Sequence, residues 1–333
     1  MDRRSFLASA AALAAPPAPA VMTVRGLAAV STLGLMLPHE HLFSMFGEEP
    51  AEHAQYDSDA LLAAVVPYLK SVQKLGCATI VDATAAYFGR APRILRTVSE
   101  MTGLHLVTNT GYYGAANDRY VPKFAFDESA DQLAARWIRE AREGIGASGI
   151  RPGFIKLGVD AGPLSAIDRK LIVAGARAHR ATGLVIAVHT GDNAAAVEQQ
   201  LAILKAEGVS TASWIWVHAN QCKDDAAVLA AASQGAWISL DGLDPTTLER
   251  HLALCLSLRQ QGKLSQVLLS HDGNSFRAGG KRPMRPYTEL FTGLLPRLRS
   301  ASFSQDEIRM LTVENPGRAF AVRGLTFVNQ GVP

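Results

Sequence analysis

The sequence predicts a closed parallel (β/α)8 barrel, and three observations carry that expectation. Apolar, strand-like runs recur along the chain with helix-sized gaps between them. Five of these runs, at 35–41, 154–157, 185–190, 214–220 and 267–273, end at or near a residue able to bind a divalent metal. Glycine closes many of the intervening segments, at Gly76, Gly103, Gly183, Gly208, Gly235 and Gly262, as it does just beyond a helix. Metal-binding side chains at the ends of buried parallel strands describe a barrel whose carboxyl-terminal rim carries a site.

Residues 23–34 read as a short hairpin that caps the amino-terminal end of the barrel. The eight strand candidates are 35–41, 78–84, 104–112, 153–159, 184–190, 214–220, 236–240 and 266–272. Segments 59–75, 90–102, 128–145 and 167–182 space their apolar residues by three and four, as amphipathic helices do. Segments 193–207, 224–233 and 246–261 continue the alternation, and 287–298 and 305–320 read as closing helices. Period-two alternation places Val185 and Ala187 inside the barrel below His189. The same rule places Trp214 and Trp216 below His218, as core rather than as a substrate platform.

At 333 residues, with 48% hydrophobic and 19% charged residues, the chain suits one soluble barrel domain and excludes a disordered protein. A formal charge of +3, with no Lys/Arg block, gives no case for nucleic-acid binding. The first twenty residues stand apart: Arg3-Arg4-Ser5-Phe6-Leu7 precedes an Ala-rich stretch ending in Ala18-Pro19-Ala20. This is the pattern of a twin-arginine export signal, so residues 1–20 are expected to be removed and 21–333 to form the mature domain, periplasmic or secreted. The apolar stretch is too short to span a bilayer, and no cysteine near the cleavage point offers a lipid anchor. Cys77, Cys222 and Cys255 are odd in number and widely spaced, which argues against a disulfide framework.

His39 and His41, two apart on a strand end, point to one side and can hold one ion. His189 and His218 supply two further imidazoles from the fifth and sixth strands. Asp272 ends the eighth strand, next to the first in a closed barrel, and can reach the same ion as His39 and His41. Lys156 would bury an ammonium in the run Phe154-Ile155-Lys156-Leu157, which is strongly disfavoured. Its stem could pack while its head snorkels to the rim. Alternatively, burial deprotonates it and carbon dioxide converts it to a carbamate that bridges two cations sharing a hydroxide.

Four histidines, the strand-four lysine and the strand-eight aspartate, in this order, resemble the phosphotriesterase family of the amidohydrolase superfamily. Thr23-Val24-Arg25-Gly26, Pro38-His39-Glu40-His41 and Glu314-Asn315-Pro316 with Phe320 are also similar to that family, over residues 23–322. The resemblance implies that His39, His41 and Asp272 bind a buried metal, His189 and His218 a more exposed one, and carboxylated Lys156 bridges them. It implies a bridging hydroxide that attacks a lactone or ester carbonyl, with Asp272 taking the proton, zinc as the expected ion pair (cobalt, manganese or iron being alternatives), and a small-molecule substrate. Phosphotriester hydrolysis is the expected weaker activity, and a dedicated organophosphate hydrolase the second reading. A non-catalytic ligand-binding barrel is a third, against which the intact ligand set argues. Relatives are often homodimers. Gln221 and Gly242 stand where well-studied phosphotriesterases carry an Asp and a His that relay a proton, and Gly242 also differs from the arginine of the lactonase branch. Tyr112 and Tyr113 offer the tyrosine which that branch places at the end of strand three, as substrate-binding residues.

Asp241 either orients a ligand imidazole or caps the following turn. His271 and Glu40 point away from the ligand side, and His53, His105, His179 and His251 are expected to be structural or solvated. Arg277, Lys281, Arg282 and Arg285 lie in the loop after strand eight; they are either solvated surface or an attraction for substrates with carboxylate or phosphoryl groups.

Overall fold

A computed structural model describes residues 18–279 and 283–322; most of the expected export signal, and Lys281 and Arg282, lie outside the described residues. The chain opens with β1 (Ala20–Thr23) and β2 (Gly26–Ala29), an antiparallel pair that starts a few residues earlier than the sequence suggested. Gly26, at φ 107°, makes the tight turn, and Thr23 Oγ1 donates to its carbonyl at 2.7 Å.

The barrel strands are β3 (Leu35–Glu40), β4 (Cys77–Asp82), β5 (His105–Val107), β6 (Asn109–Thr110), β7 (Phe154–Gly158), β8 (Ile186–His189), β9 (Trp214–Val217), β10 (Trp237–Leu240) and β11 (Val267–Leu269). All pair in parallel with their neighbours. The expected third strand is broken at Thr108 into β5, which pairs with β4, and β6, which pairs with β7. Beyond the break, Asn109 Nδ2 donates to the carbonyls of Asp82 and Thr84 at 3.0 and 2.9 Å, so a side chain replaces the missing ladder. The ring closes where Asp272 N donates to His39 O at 3.1 Å and His41 N to Gly273 O at 2.8 Å.

Around this ring lie α1 (Ser58–Lys74), α2 (Pro92–Thr102), α3 (Phe124–Asp127), α4 (Ala130–Glu143), α5 (Ala166–Thr182), α6 (Ala194–Ala206), α7 (Asp225–Ser233) and α8 (Leu248–Gln260). The six glycines expected at helix ends all take positive φ. The closing segments are α9 (Leu295–Ser300), α10 (Gln305–Arg309) and α11 (Asn315–Phe320), with wide turns at Leu290–Leu294 and Met310–Glu314. Pro296 and Pro316 follow those wide turns; a proline cannot donate to the preceding turn, and the extra residue absorbs the mismatch. No helix among the described residues is long and apolar enough to cross a membrane.

Two apolar layers result. Met36, Val107, Phe154, Ala187, Val217 and Leu268 fill the barrel floor, plugged from below by Val21 and Phe320, whose ring lies 5.3 Å from that of Phe154. The second layer lies between strands and helices, and here the alternation rule fails for β9. Ile215 and Val217 face inward, while Trp214 and Trp216 face the helical layer and donate their indole N–H groups to Gln200 Oε1 and Gly191 O, both at 3.1 Å. His218 still reaches the interior because its backbone is left-handed, φ 63°, which reverses the parity of the strand. A bulge on β3 has the same effect: Leu37 pairs with Ile80 and Glu40 with Asp82, three steps against two, so Met36 and His39 both face inward.

Candidate metal centre

Asp272 collects the first strand's ligands. Its Oδ1 lies 3.4 Å from His39 Nε2 and 3.2 Å from His41 Nε2. His41 Nδ1 lies 2.7 Å from Thr84 Oγ1. The Thr84 hydroxyl hydrogen is itself donated to Phe43 O at 3.0 Å, so its oxygen accepts from His41 Nδ1–H. That leaves the Nε2 lone pair aimed at the site. His218 is set likewise by Asp241, with Nδ1 2.7 Å from Asp241 Oδ1. Ser239 donates to the other oxygen of Asp241 at 2.7 Å, and His39 Nδ1 lies 3.4 Å from it. One buried carboxylate thus orients imidazoles from two strands. The donor atoms of His39, His218 and Asp272 all lie within 4.8 Å of one another.

His189 and Lys156 complete the cluster from the opposite wall. The His189 ring is 4.5 Å from that of His218, and its Nδ1 is 3.2 Å from the Tyr113 hydroxyl. Lys156 is buried, with its Nζ 5.8 Å from the Tyr113 ring centre and without a hydrogen-bond partner among the described residues. An ammonium left so would cost several kcal/mol, so the site calls for a neutral or modified amine. Burial pushes this amine down to about 8.

At His39, His189 and Asp272 the electrostatics suit metal binding, which requires neutral imidazoles and ionised carboxylates; at His218 an ion would have to displace a favoured proton. Burial, and then Lys156, pushes His39 down to about 4; burial and the neighbouring His218 hold His189 well below the ordinary histidine value. Burial alone would raise Asp272, but the hydrogen bonds of His39 and His41 keep it well below the carboxylate range. Desolvation would lower His218, yet Asp241 raises it, while Asp241 itself falls to about 2 through His218 and His39 despite its burial. His218 and Asp272 both hold left-handed backbone, φ 63° and 52°. Such strain costs on the order of 1–3 kcal/mol each, small beside the roughly 10 kcal/mol or more that a well-built zinc site returns. The donor set and the orphaned lysine therefore fit divalent ions.

Above the ligands opens a cavity of about 400 Å³, walled by Phe46, Phe88, Pro283, Asn274, Arg277 and Arg285. Tyr113 lines it; Tyr112 does not, which corrects the expectation of a substrate-binding role for both. Adjacent residues point to opposite sides, and Tyr112 packs outward against Trp137 of α4, ring centres 5.5 Å apart, in a separate cleft. Gln221 is exposed, and Gly242 brings no side chain toward the ligands. His271 accepts from Leu290 N at 2.9 Å through Nε2 and so donates from Nδ1 to Glu40 Oε1 at 2.7 Å. Glu40 also accepts from Ser270 Oγ and Gly273 N, fastening the first strand to the eighth. His251 is buried in α8 and His179 bonds to Leu184 O, both away from the site. Sequence reasoning did not single out Asp82 and Thr84, although both end an apolar run as the ligands do. Asp82 accepts from the backbone of Leu42 and Thr84 at 2.9 Å and thereby holds the turn that carries His41.

Comparison with known proteins gives a consistent set of relatives. The model of the phosphotriesterase family matches residues 19–320. A phosphotriesterase homology protein of Escherichia coli is 28% identical over 86% of this chain and 98% of its own length. An aryldialkylphosphatase of Saccharolobus solfataricus is 28% identical over 87% of this chain and 95% of its own. Among solved structures, a mutant of a phosphotriesterase-like lactonase from Deinococcus radiodurans superposes with a TM-score of 0.82 at 30% identity, covering 90% of this chain and all of that one.

Proposed function

The chain belongs to the phosphotriesterase family and is a hydrolase acting on ester bonds; from that premise we propose that it is a binuclear metal enzyme whose first substrates are lactones or carboxylic esters. One observation carries the reading. His39, His41, His218 and Asp272 converge beside a buried Lys156 whose Nζ has no hydrogen-bond partner among the described residues, at the foot of a cavity of small-molecule size. His39, His41 and Asp272 would hold the inner ion and His189 and His218 the outer one. Carbon dioxide added to the neutral Lys156 amine, with loss of one proton, would give a carbamate whose two oxygens face both. When bound, two divalent ions supply Lewis acidity, acidifying a water and polarising the substrate oxygen. Zinc suits the all-nitrogen-and-oxygen donor set, and no redox step is required.

The chain's own groups supply the rest. Asp272 lines the cavity, its Oδ2 on Arg285 and not on the histidines, and this oxygen would accept the water's proton. Its side chain is 20% exposed, which lets the proton leave to solvent directly, as it must where Gln221 and Gly242 offer no relay. Burial holds the Tyr113 phenol far above its ordinary value, so it stays protonated and can donate toward the reacting oxygen. The name of the Saccharolobus relative supports phosphotriester hydrolysis as a second activity. Arg3-Arg4 and Ala18-Pro19-Ala20 support export of the folded enzyme to the periplasm or beyond. Zinc-loaded protein assayed against matched lactones, carboxylic esters and phosphotriesters tests the reading: the lactone and ester should be turned over fastest, and a protein inert to all three would overturn it.

A further inference from the structure

We propose that Arg285 recognises an anionic group on the substrate, so that the preferred substrate is an ester or lactone carrying a second, ionised acid group. The inference rests on the ester-hydrolase reading above and specifies its substrate class.

Arg285 is placed by backbone. Asn274 N donates to Arg285 O at 2.7 Å and Arg285 N to Asn274 O at 2.9 Å, and the neighbouring Ser275 N donates to His41 O at 3.1 Å. Two short ladders therefore tie the arginine to the strand end that carries the first metal ligands. Its guanidinium leans over the cavity, 48% exposed, with Nη1 3.0 Å from Asp272 Oδ2. That is the outward oxygen; His39 and His41 address Oδ1. Arg285 thus stands beside the atom assigned to the reacting water's proton, on its solvent side.

The charge of the walls points the same way. Arg277 and Arg285 both line the cavity, whereas Asp272 is the one carboxylate lining it among the described residues. Once Asp272 serves metal and water, the complementary partner for Arg285 is an anion brought from solution. A guanidinium meets a carboxylate in a planar fork, and such charge-assisted bonds are stronger than neutral ones. Phe46, Phe88 and Pro283 make the remaining wall apolar, which suits a short hydrocarbon segment between the scissile ester and the acid. If Arg285 only clamped Asp272, its removal would affect neutral and anionic substrates alike.

The test uses the zinc-loaded protein and two matched esters, monomethyl glutarate and dimethyl glutarate. Wild type should prefer the monoester in kcat/KM, and the preference should shrink as salt rises. Arg285→Ala should lower the ratio of monoester to diester kcat/KM by about 10- to 100-fold, the worth of one hydrogen bond to a charged group. Arg285→Lys should restore part of it. A ratio unchanged in Arg285→Ala overturns the proposal even if overall turnover falls. Calorimetry with glutaramate and glutaramide provides a readout without turnover: the acid should bind more tightly to wild type, and Arg285→Ala should abolish the difference. Should neither ester nor any member of the lactone, ester and phosphotriester panel be cleaved, the catalytic reading fails, while equal calorimetric affinities in wild type would sink the role of Arg285.

Discussion

Asp241 Oδ1 lies 2.7 Å from His218 Nδ1, and its other oxygen lies 3.4 Å from His39 Nδ1. The carboxylate does not itself line the cavity, yet it orients imidazoles on two strands that do. Asp241→Asn keeps the shape and removes the charge. Loss of such a partner typically weakens metal binding about 10- to 100-fold. Zinc affinity by competition with a chromophoric chelator should fall within that range, and undiminished affinity would show that packing alone orients His218.

The same pair predicts a pH dependence of the metal-free protein. Asp241 is depressed to about 2, so its contribution is present above its unfolded value and fades as pH falls toward 2. His218 is raised by Asp241, so its contribution is present below its unfolded value and fades as pH climbs through the raised one. Both terms are therefore in place between about pH 4 and 6.5. Urea denaturation of chelated wild type and Asp241→Asn should show a larger stability gap at pH 5.5 than at pH 9. A gap that stays constant would mean that the pair does not titrate as assigned.

Lys156 has no hydrogen-bond partner for its buried Nζ among the described residues, and burial lowers its amine to about 8, where a substantial neutral fraction can capture carbon dioxide. Wild type grown with zinc should contain two ions per chain. Lys156→Ala should lose at least one of them and nearly all activity, and a short carboxylic acid supplied with zinc should return part of both. Elemental analysis and rescue kinetics read these directly; a Lys156→Ala enzyme with two ions and normal turnover would remove the bridge from the mechanism.

That these residues converge on one rim was legible because the signal is local: a polar residue one step beyond an apolar run needs a reason, and the barrel supplies one. Directions at strand ends were less legible. Parity gave the right inward set for β8, but it failed for Trp214 and Trp216 because His218 leaves the strand through left-handed backbone, which no spacing reveals. The β3 bulge similarly hid that Met36 and His39 share a side. Tyr112 and Tyr113 could not be told apart until Gly111, at φ 112°, set the turn between strand and loop. Partners such as Thr84 for His41 and Arg285 for Asp272 join distant segments, and a single sequence carries no record of those meetings.

The proposed export rests on Arg3-Arg4, the short apolar run and Ala18-Pro19-Ala20 in that order. β1 begins at Ala20, so cleavage after that residue would leave nearly the whole hairpin intact. Replacing both arginines with lysine should hold the protein in the cytoplasm uncleaved, as judged by fractionation and terminal sequencing. Normal processing of that variant would refute a twin-arginine route.

The proposed mechanism gives Asp272 two roles that one substitution can separate. Oδ1 faces His39 and His41, at 3.4 and 3.2 Å, as a metal ligand would; Oδ2 faces Arg285. Asp272→Asn keeps a ligating oxygen for the first role but offers no carboxylate for the second. Turnover should fall by about 10²- to 10⁴-fold, with KM changed far less, because a general base acts in the transition state and not in substrate binding. Metal content must be measured on the same preparation, since the amide is the weaker ligand. If both ions stay bound and kcat is near that of wild type, the proton goes elsewhere. With Gln221 exposed and Gly242 lacking a side chain, neither of those positions would supply the acceptor.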